Sequence, residues 1–108
     1  MKRLEEQPVA KLSLSGALRS QRVYEMEDAL NAFAGKNQHK VIVDLTQVGH
    51  ISSSALGLLA RFADECRQAN GELRLVVTEQ NILNLLQITM LDKVFEIYGT
   101  VAEAEEDF

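Results

Sequence analysis

The sequence predicts an α/β domain built on a small, mostly parallel sheet, and three observations predict it. Short apolar runs of strand character alternate with helical stripes along the 108 residues, in the order β-α-β-α-β-α-β-α. Strands separated by helices need crossover connections, and crossovers make parallel neighbours. The run Val41–Val43 is unbroken and β-branched, as in strands covered on both faces. A hydrophobic content of 46% supplies one modest core, the amount expected of one domain of this length.

The elements follow in order. Val9–Leu14 alternates, with Ala10, Leu12 and Leu14 to one side and Lys11 and Ser13 to the other, which is the pattern of a half-buried strand. Gly16 is expected to end it. Ser20 offers an N-cap to a helix whose stripe is Val23, Met26, Leu30 and Phe33. Gly35 is expected to stop that helix from a left-handed conformation. The strand at Val41–Val43 leads into a loop that ends in Ser52, Ser53 and Ser54. A helix is predicted from about Ser54 to Ala69, with Ala55, Leu58, Leu59, Phe62, Ala63, Cys66 and Ala69 as its apolar residues. Asn70-Gly71 carries C-cap chemistry. Leu73, Leu75, Val76 and Val77 predict the third strand. Thr78 is expected to cap a short helix with Ile82, Leu85 and Leu86. Val94–Tyr98 reads as a last short strand, and Thr100-Val101-Ala102-Glu103 fits a capping box that opens an acidic terminal helix.

Composition excludes several function classes. A net charge of −5 argues against a nucleic-acid footprint, which needs a basic face. No apolar run is long enough to span a bilayer, and no basic amphipathic segment suggests a membrane surface. The opening MKRLEEQPVAKL has basic residues but no apolar stretch after them, so a cytoplasmic protein is expected. Cys66 is the sole cysteine; it sits inside a helical apolar stripe and reads as a core residue. His39 and His50 have no further His or Cys ligands at metal-binding spacing, so no metal and no cofactor are expected. Nothing reads as catalytic: there is no phosphate-cradling glycine loop, no dinucleotide fingerprint and no Cys/His pair. Asp44 is not read as a catalytic acid, His50 reads as a half-buried histidine, and the acids Glu103, Glu105, Glu106 and Asp107 read as a solvated helix face.

The informative stretch is Val41–Leu59, VIVDLTQVGHISSSALGLL. A hydroxyl at the start of a helix meets several unpaired N–H groups and roughly half a positive charge. A phosphoryl group there is stabilised locally and adds about −1.5 to −2 charge at pH 7. This stretch resembles the signature of the STAS family, the anti-sigma factor antagonists: an apolar strand, then Asp-Ser-Ser/Thr-Gly-Leu-Gly, matched here by Ser52, Ser53, Ser54, Ala55, Leu56 and Gly57. NGELRLVV at 70–77 resembles the family's Gly-Gly-x-Leu/Met and strand. Residues 84–95, NLLQITMLDKVF, resemble its Leu-Phe-x-x-Ser/Thr-Gly-Leu-x-x-Ile/Leu-Phe. The N-terminal strand stands where the family has a strand and Gly-Glu-Ile/Leu-Asp. The departures are Ser52 for the family aspartate, Ala17 and Arg19 for its N-terminal acids, and Ala55 and Met90 for two glycines.

The resemblance implies one STAS-like domain over 1–108, with a small mixed, mostly parallel sheet, an N-terminal edge strand and about four helices. It implies a regulatory binding protein, not an enzyme. Unphosphorylated, such a protein binds a serine kinase/anti-sigma factor of the histidine-kinase-like ATPase type. Phosphorylation at Ser53, with Ser54 and Ser52 as fallback acceptors, releases it, and a serine phosphatase resets it. ATP and any metal belong to those partners. Arg19, His50, Ser52, Ser54, Ala55, Leu56 and Gly57 are the expected partner-binding residues. An alternative is a non-switching STAS assembly module in a sensory or transporter complex.

Overall fold

A computed structural model describes residues 9–108. The reading of residues 1–8 as a leaderless start lies outside the described residues. The elements are β1 (Ala10–Leu18), α1 (Gln21–Gly35), β2 (Lys40–Ile51), α2 (Ser53–Gln68), β3 (Glu72–Val76), α3 (Gln80–Ile88), a 3-10 turn (Leu91–Lys93), β4 (Glu96–Tyr98) and α4 (Val101–Glu105). The sheet order is β1-β2-β3-β4, and every described pair is parallel. β1 is an edge, as expected.

This strand order decides where the helices go. Each crossover steps one strand further in the same direction, and parallel crossovers are right-handed. Successive steps without reversal therefore place α1, α2 and α3 on one face. Their buried residues Val23, Met26, Leu30, Leu59, Phe62, Ile82 and Leu86 share one core with Val41, Val43, Leu45, Leu73 and Leu75. The opposite face is left to α4. Ile42 and Val76 pack there with Ala104 in a second, smaller cluster, flanked by Val9, Tyr98, Val101 and Phe108. That is why Val41, Ile42 and Val43 are all buried: the run is covered on both sides, as its composition predicts.

Several boundaries differ from the sequence expectation. Gly16 does not end β1. It takes φ +77° beside a register shift between Gly16 and Ala17, so its left-handed freedom serves a bulge and pairing continues to Leu18. Nor does a loop follow Val43. β2 runs to Ile51, and each of two shifts against β1 inserts one extra residue in β2. These extra residues change the strand's phase, so Val48 and Ile51 still face inward while His50 is exposed.

Helix ends show a similar redistribution. Gly35 is the last residue of α1, and the left-handed position belongs to Asn37 at φ 59°. The Asn37 N–H donates to Ala34 O (3.0 Å) and the Gln38 N–H to Phe33 O (2.9 Å), the two bonds of a Schellman ending. α2 ends likewise: Asn70 takes φ 65°, and the Asn70 and Gly71 N–H groups donate to Arg67 O (3.1 Å) and Cys66 O (2.7 Å). Thr78 does not cap α3. The N-cap position is Glu79, and no side chain caps it. β4 is three residues because Leu91–Lys93 turns first, although Phe95 is still buried. The Thr100 hydroxyl accepts from Glu103 N–H (3.1 Å) and donates to Glu103 Oε1 (3.1 Å), so only one backbone group of the expected box is satisfied by a side chain.

Met90, where the resemblance places a glycine, has φ 64° and 60% exposure. A left-handed conformation costs an ordinary L-residue about 1–2 kcal/mol, partly offset in a glycine variant by the freer unfolded chain. Met90→Gly is expected to raise stability by about 0.5–1 kcal/mol. A urea midpoint that fails to rise would show that Met90 contributes packing the exposure does not reveal.

Candidate functional site

The site forms where the ends of β1 and β2 meet the start of α2. Leu18 pairs with Ile51, and the Ser52 N–H donates to Leu18 O at 2.9 Å. This bond brings Arg19, the first residue after β1, to the serine turn. Arg19 is exposed and makes no ion pair among the described residues. Ser20, next in line, has φ 55° and ψ −131° and does not cap α1 with its side chain. A serine held there carries roughly 1–3 kcal/mol of backbone strain, stored directly beside the serine turn. Arg22 braces the bend: its Nη1 donates to Ser15 O (2.6 Å) and Ala17 O (3.4 Å).

The three serines have three different environments. Ser52 is the N-cap, extended at φ −79° and ψ 160°, and its Oγ accepts from Ala55 N–H at 3.2 Å. Ser54 Oγ lies 3.1 Å from Ser52 Oγ and is tied to it. Ser53 is the first residue of α2 and is exposed; its hydroxyl has no hydrogen-bond partner among the described residues. A serine thus performs the capping that an aspartate could perform, without the charge. Ser52→Ala should cost about 1 kcal/mol in thermal or urea unfolding, while Ser53→Ala should cost under about 0.5. Equal losses from both would contradict this division of roles.

Two of the expected partner-binding residues are corrected. Ala55 is 0% and Leu56 2% exposed, because both face the sheet from the first turn of α2. They hold the helix down and cannot present side chains to a partner. The i, i+3 and i, i+4 spacing onto Leu59 and Ala63 carries that signal in the sequence. Gly57 is exposed, with open space around an added Cβ. Leu58 is half-buried and Ala69 exposed, so the inward stripe is narrower than its apolar residues suggest.

Shallow grooves flank the serine turn on both sides. One is lined by Ser20, Val23, Tyr24, Glu27, Ser54 and Leu58. Its rim is Tyr24, 66% exposed, which no motif in the sequence marks. The other is lined by Gly49, His50, Ile51, Asn81, Ile82 and Leu85. His50 is therefore an exposed groove residue rather than a half-buried one. Asp44 is tied to its own strand: its Oδ1 accepts from Thr46 N–H at 2.9 Å. Among the described residues, no group of three or more His, Cys, Asp or Glu could hold a metal ion, and no helix is long and apolar enough to cross a membrane.

Cys66 is fully buried. Burial, and secondarily the Glu65 carboxylate, push its thiol up to about 11 from the usual 9.0. Alkylation by iodoacetamide at pH 8 should therefore proceed only through unfolding. Rapid labelling of the folded protein would refute this.

An all-parallel four-stranded sheet with three helices on one face and a serine turn at the strand ends defines a small α/β domain class. The STAS domain family model matches residues 2–104, and the chain belongs to that family. It is 31% identical over 75 residues to a Thermotoga neapolitana protein described as a candidate anti-sigma factor antagonist. That match covers 69% of this chain but 66% of the relative, just under two thirds of its length. A Bordetella bronchiseptica protein with the same kind of description, BtrV, is 27% identical over 95 residues, covering 88% of this chain and 82% of the relative. Among solved structures, a crystal structure of a candidate anti-sigma factor antagonist from Thermotoga maritima superposes with TM-score 0.85 at 25% identity, covering 92% of this chain and 86% of the other. An anti-sigma factor antagonist from Mycobacterium paratuberculosis gives 0.81 at 25% identity, covering 89% and 81%.

Proposed function

We propose that this chain is a phosphoregulated partner switch of the anti-sigma factor antagonist type. Its docking surface is the end of the molecule that carries Arg19, His50, Ser52–Ser54 and Gly57. The unphosphorylated form binds a serine kinase/anti-sigma factor of the histidine-kinase-like ATPase type, phosphate on Ser53 releases it, and a serine phosphatase restores it. The chain acts by binding and catalyses nothing itself. The observation that carries this reading is Ser53: an exposed hydroxyl, without a hydrogen-bond partner among the described residues, at the first position of α2 beside a neighbour that does the capping. Phosphate there meets the positive end of the helix and leaves the fold intact. It also places charge on a surface that must lose water to dock, which is costly.

The second reading is a non-switching assembly module in a sensory or transporter complex. It is favoured by Arg19 and the uncharged Ser52, which stand where the family has acids. Peptide mass spectrometry of protein purified from its native cells, with phosphatase inhibitors present, separates the two. Phosphate on Ser53 that phosphatase removes supports the switch. Its absence under every growth condition, with the protein held in a stable complex, supports the scaffold.

A further inference from the structure

We infer that residues 100–108 form a strap, latched by Arg74, that opens from the back of the sheet as its own unit while the rest of the domain stays folded. Among the described residues, α4 is the helix that the connection order leaves to the face opposite α1–α3, and it is five residues long. A helix this short has no stability of its own in water. Besides the packing of Ala104 on Ile42 and Val76, its polar ties converge on one side chain. Arg74 Nη1 donates to Ala104 O and to Glu106 O, each at 2.8 Å, which are terminal carbonyls of α4. Its Nε pairs with Glu72 Oε2 at 2.5 Å. The guanidinium stacks on the Phe108 ring at 4.0 Å and lies 5.4 Å from the Tyr98 ring. A cation at the carbonyl end of a helix is favourably placed, and the Arg74 side chain is only 11% exposed. The remaining polar ties among the described residues are peripheral: the exposed pair Lys11–Glu105 (2.7 Å) and Lys40 Nζ to Phe108 O (3.4 Å). Exposed pairs of that kind contribute little.

The strap seals an apolar strip. Ile42 is 1% and Val76 0% exposed, and both lie in a cluster separate from the main core. Units with few core contacts open below the global unfolding free energy. Opening uncovers that strip on the face away from α2, so the serine turn stays in place. It is a conformational device independent of Ser53.

Native-state hydrogen exchange on the full chain tests this. In the wild type, the Ala104, Glu106 and Phe108 amides, which donate to Thr100 O, Glu103 O and Glu105 O, should exchange faster than the β2 and β3 amides. Arg74→Gln should speed those three about tenfold or more and leave β2 and β3 unchanged. Phe108→Ala, which removes only the stacking ring, should speed them severalfold with the same confinement. Because Phe108 lies outside the main core, that variant keeps the test valid if Arg74→Gln does not fold. Strap amides that exchange in step with β2 and β3 in the wild type would overturn the proposal. So would variants that accelerate all amides alike, or that leave the strap amides unchanged.

Discussion

Gly71→Ala is expected to destabilise the protein by at least about 3 kcal/mol, at the upper end of overpacking costs. A Cβ added at Gly71 would lie 2.0 Å from His39 O and 2.5 Å from His39 C. Both are backbone atoms, so no flexible side chain can swing aside. The backbone is held from two directions as well: Gly71 N–H donates to Cys66 O (2.7 Å), and the next N–H, Glu72, donates to His39 O (2.8 Å). Relief would have to break the α2 ending or the first β2–β3 contact, which sets the register Lys40↔Glu72. For a chain of this size the loss corresponds to a fall in Tm of roughly 12 °C or more. Gly35→Ala is the internal control. An added Cβ there meets nothing within 4 Å, and alanine in a helix gains about 0.5–1 kcal/mol over glycine. Calorimetry that finds Gly71→Ala within 2 °C of wild type would remove the argument from close approach.

The second large effect separates folding from binding. Ser53→Glu should leave Tm unchanged or slightly raised, because an acid in the first turn of a helix gains about 0.3–1 kcal/mol. The same change should weaken binding to the partner recovered with the wild-type protein by about a hundredfold, or about 2.7 kcal/mol. Ser53→Ala should bind like wild type and resist phosphorylation. The contrast follows from position: Ser53 is exposed and has no hydrogen-bond partner among the described residues, and Ser52 does the capping. Calorimetric titration that finds equal affinity for Ser53→Glu and wild type would rule out a charge switch at this residue and favour the constitutive scaffold.

Much of this protein was determined by its sequence alone, because the signals are local. The stripe Val23, Met26, Leu30 specifies a helix by its period near 3.6, and the unbroken β-branched run Val41–Val43 specifies a strand covered on both faces. Alternation of the two specifies a parallel sheet. The serine triplet before an apolar helix marks where the functional end would lie, and four family-like segments in order name the class. Tertiary structure decided what depends on distant chain. It decided that Asn70 turns left-handed while Gly71 is required by the His39 carbonyl, since nothing in residues 69–72 announces that contact. The bulges that carry β1 and β2 past Gly16 and Gly49 arise from pairing between strands, so Gly16 reads locally as a stop. Ser52, Ser53 and Ser54 are chemically identical in the sequence. Only the bond from Ser52 N–H to Leu18 O and the start of the helix make one a cap, one a tied neighbour and one an exposed hydroxyl. Arg74 reads as an ordinary strand arginine until the chain end arrives from thirty residues away to meet it. Local periodicity chooses elements, whereas long-range packing chooses which of several equivalent residues is free to act.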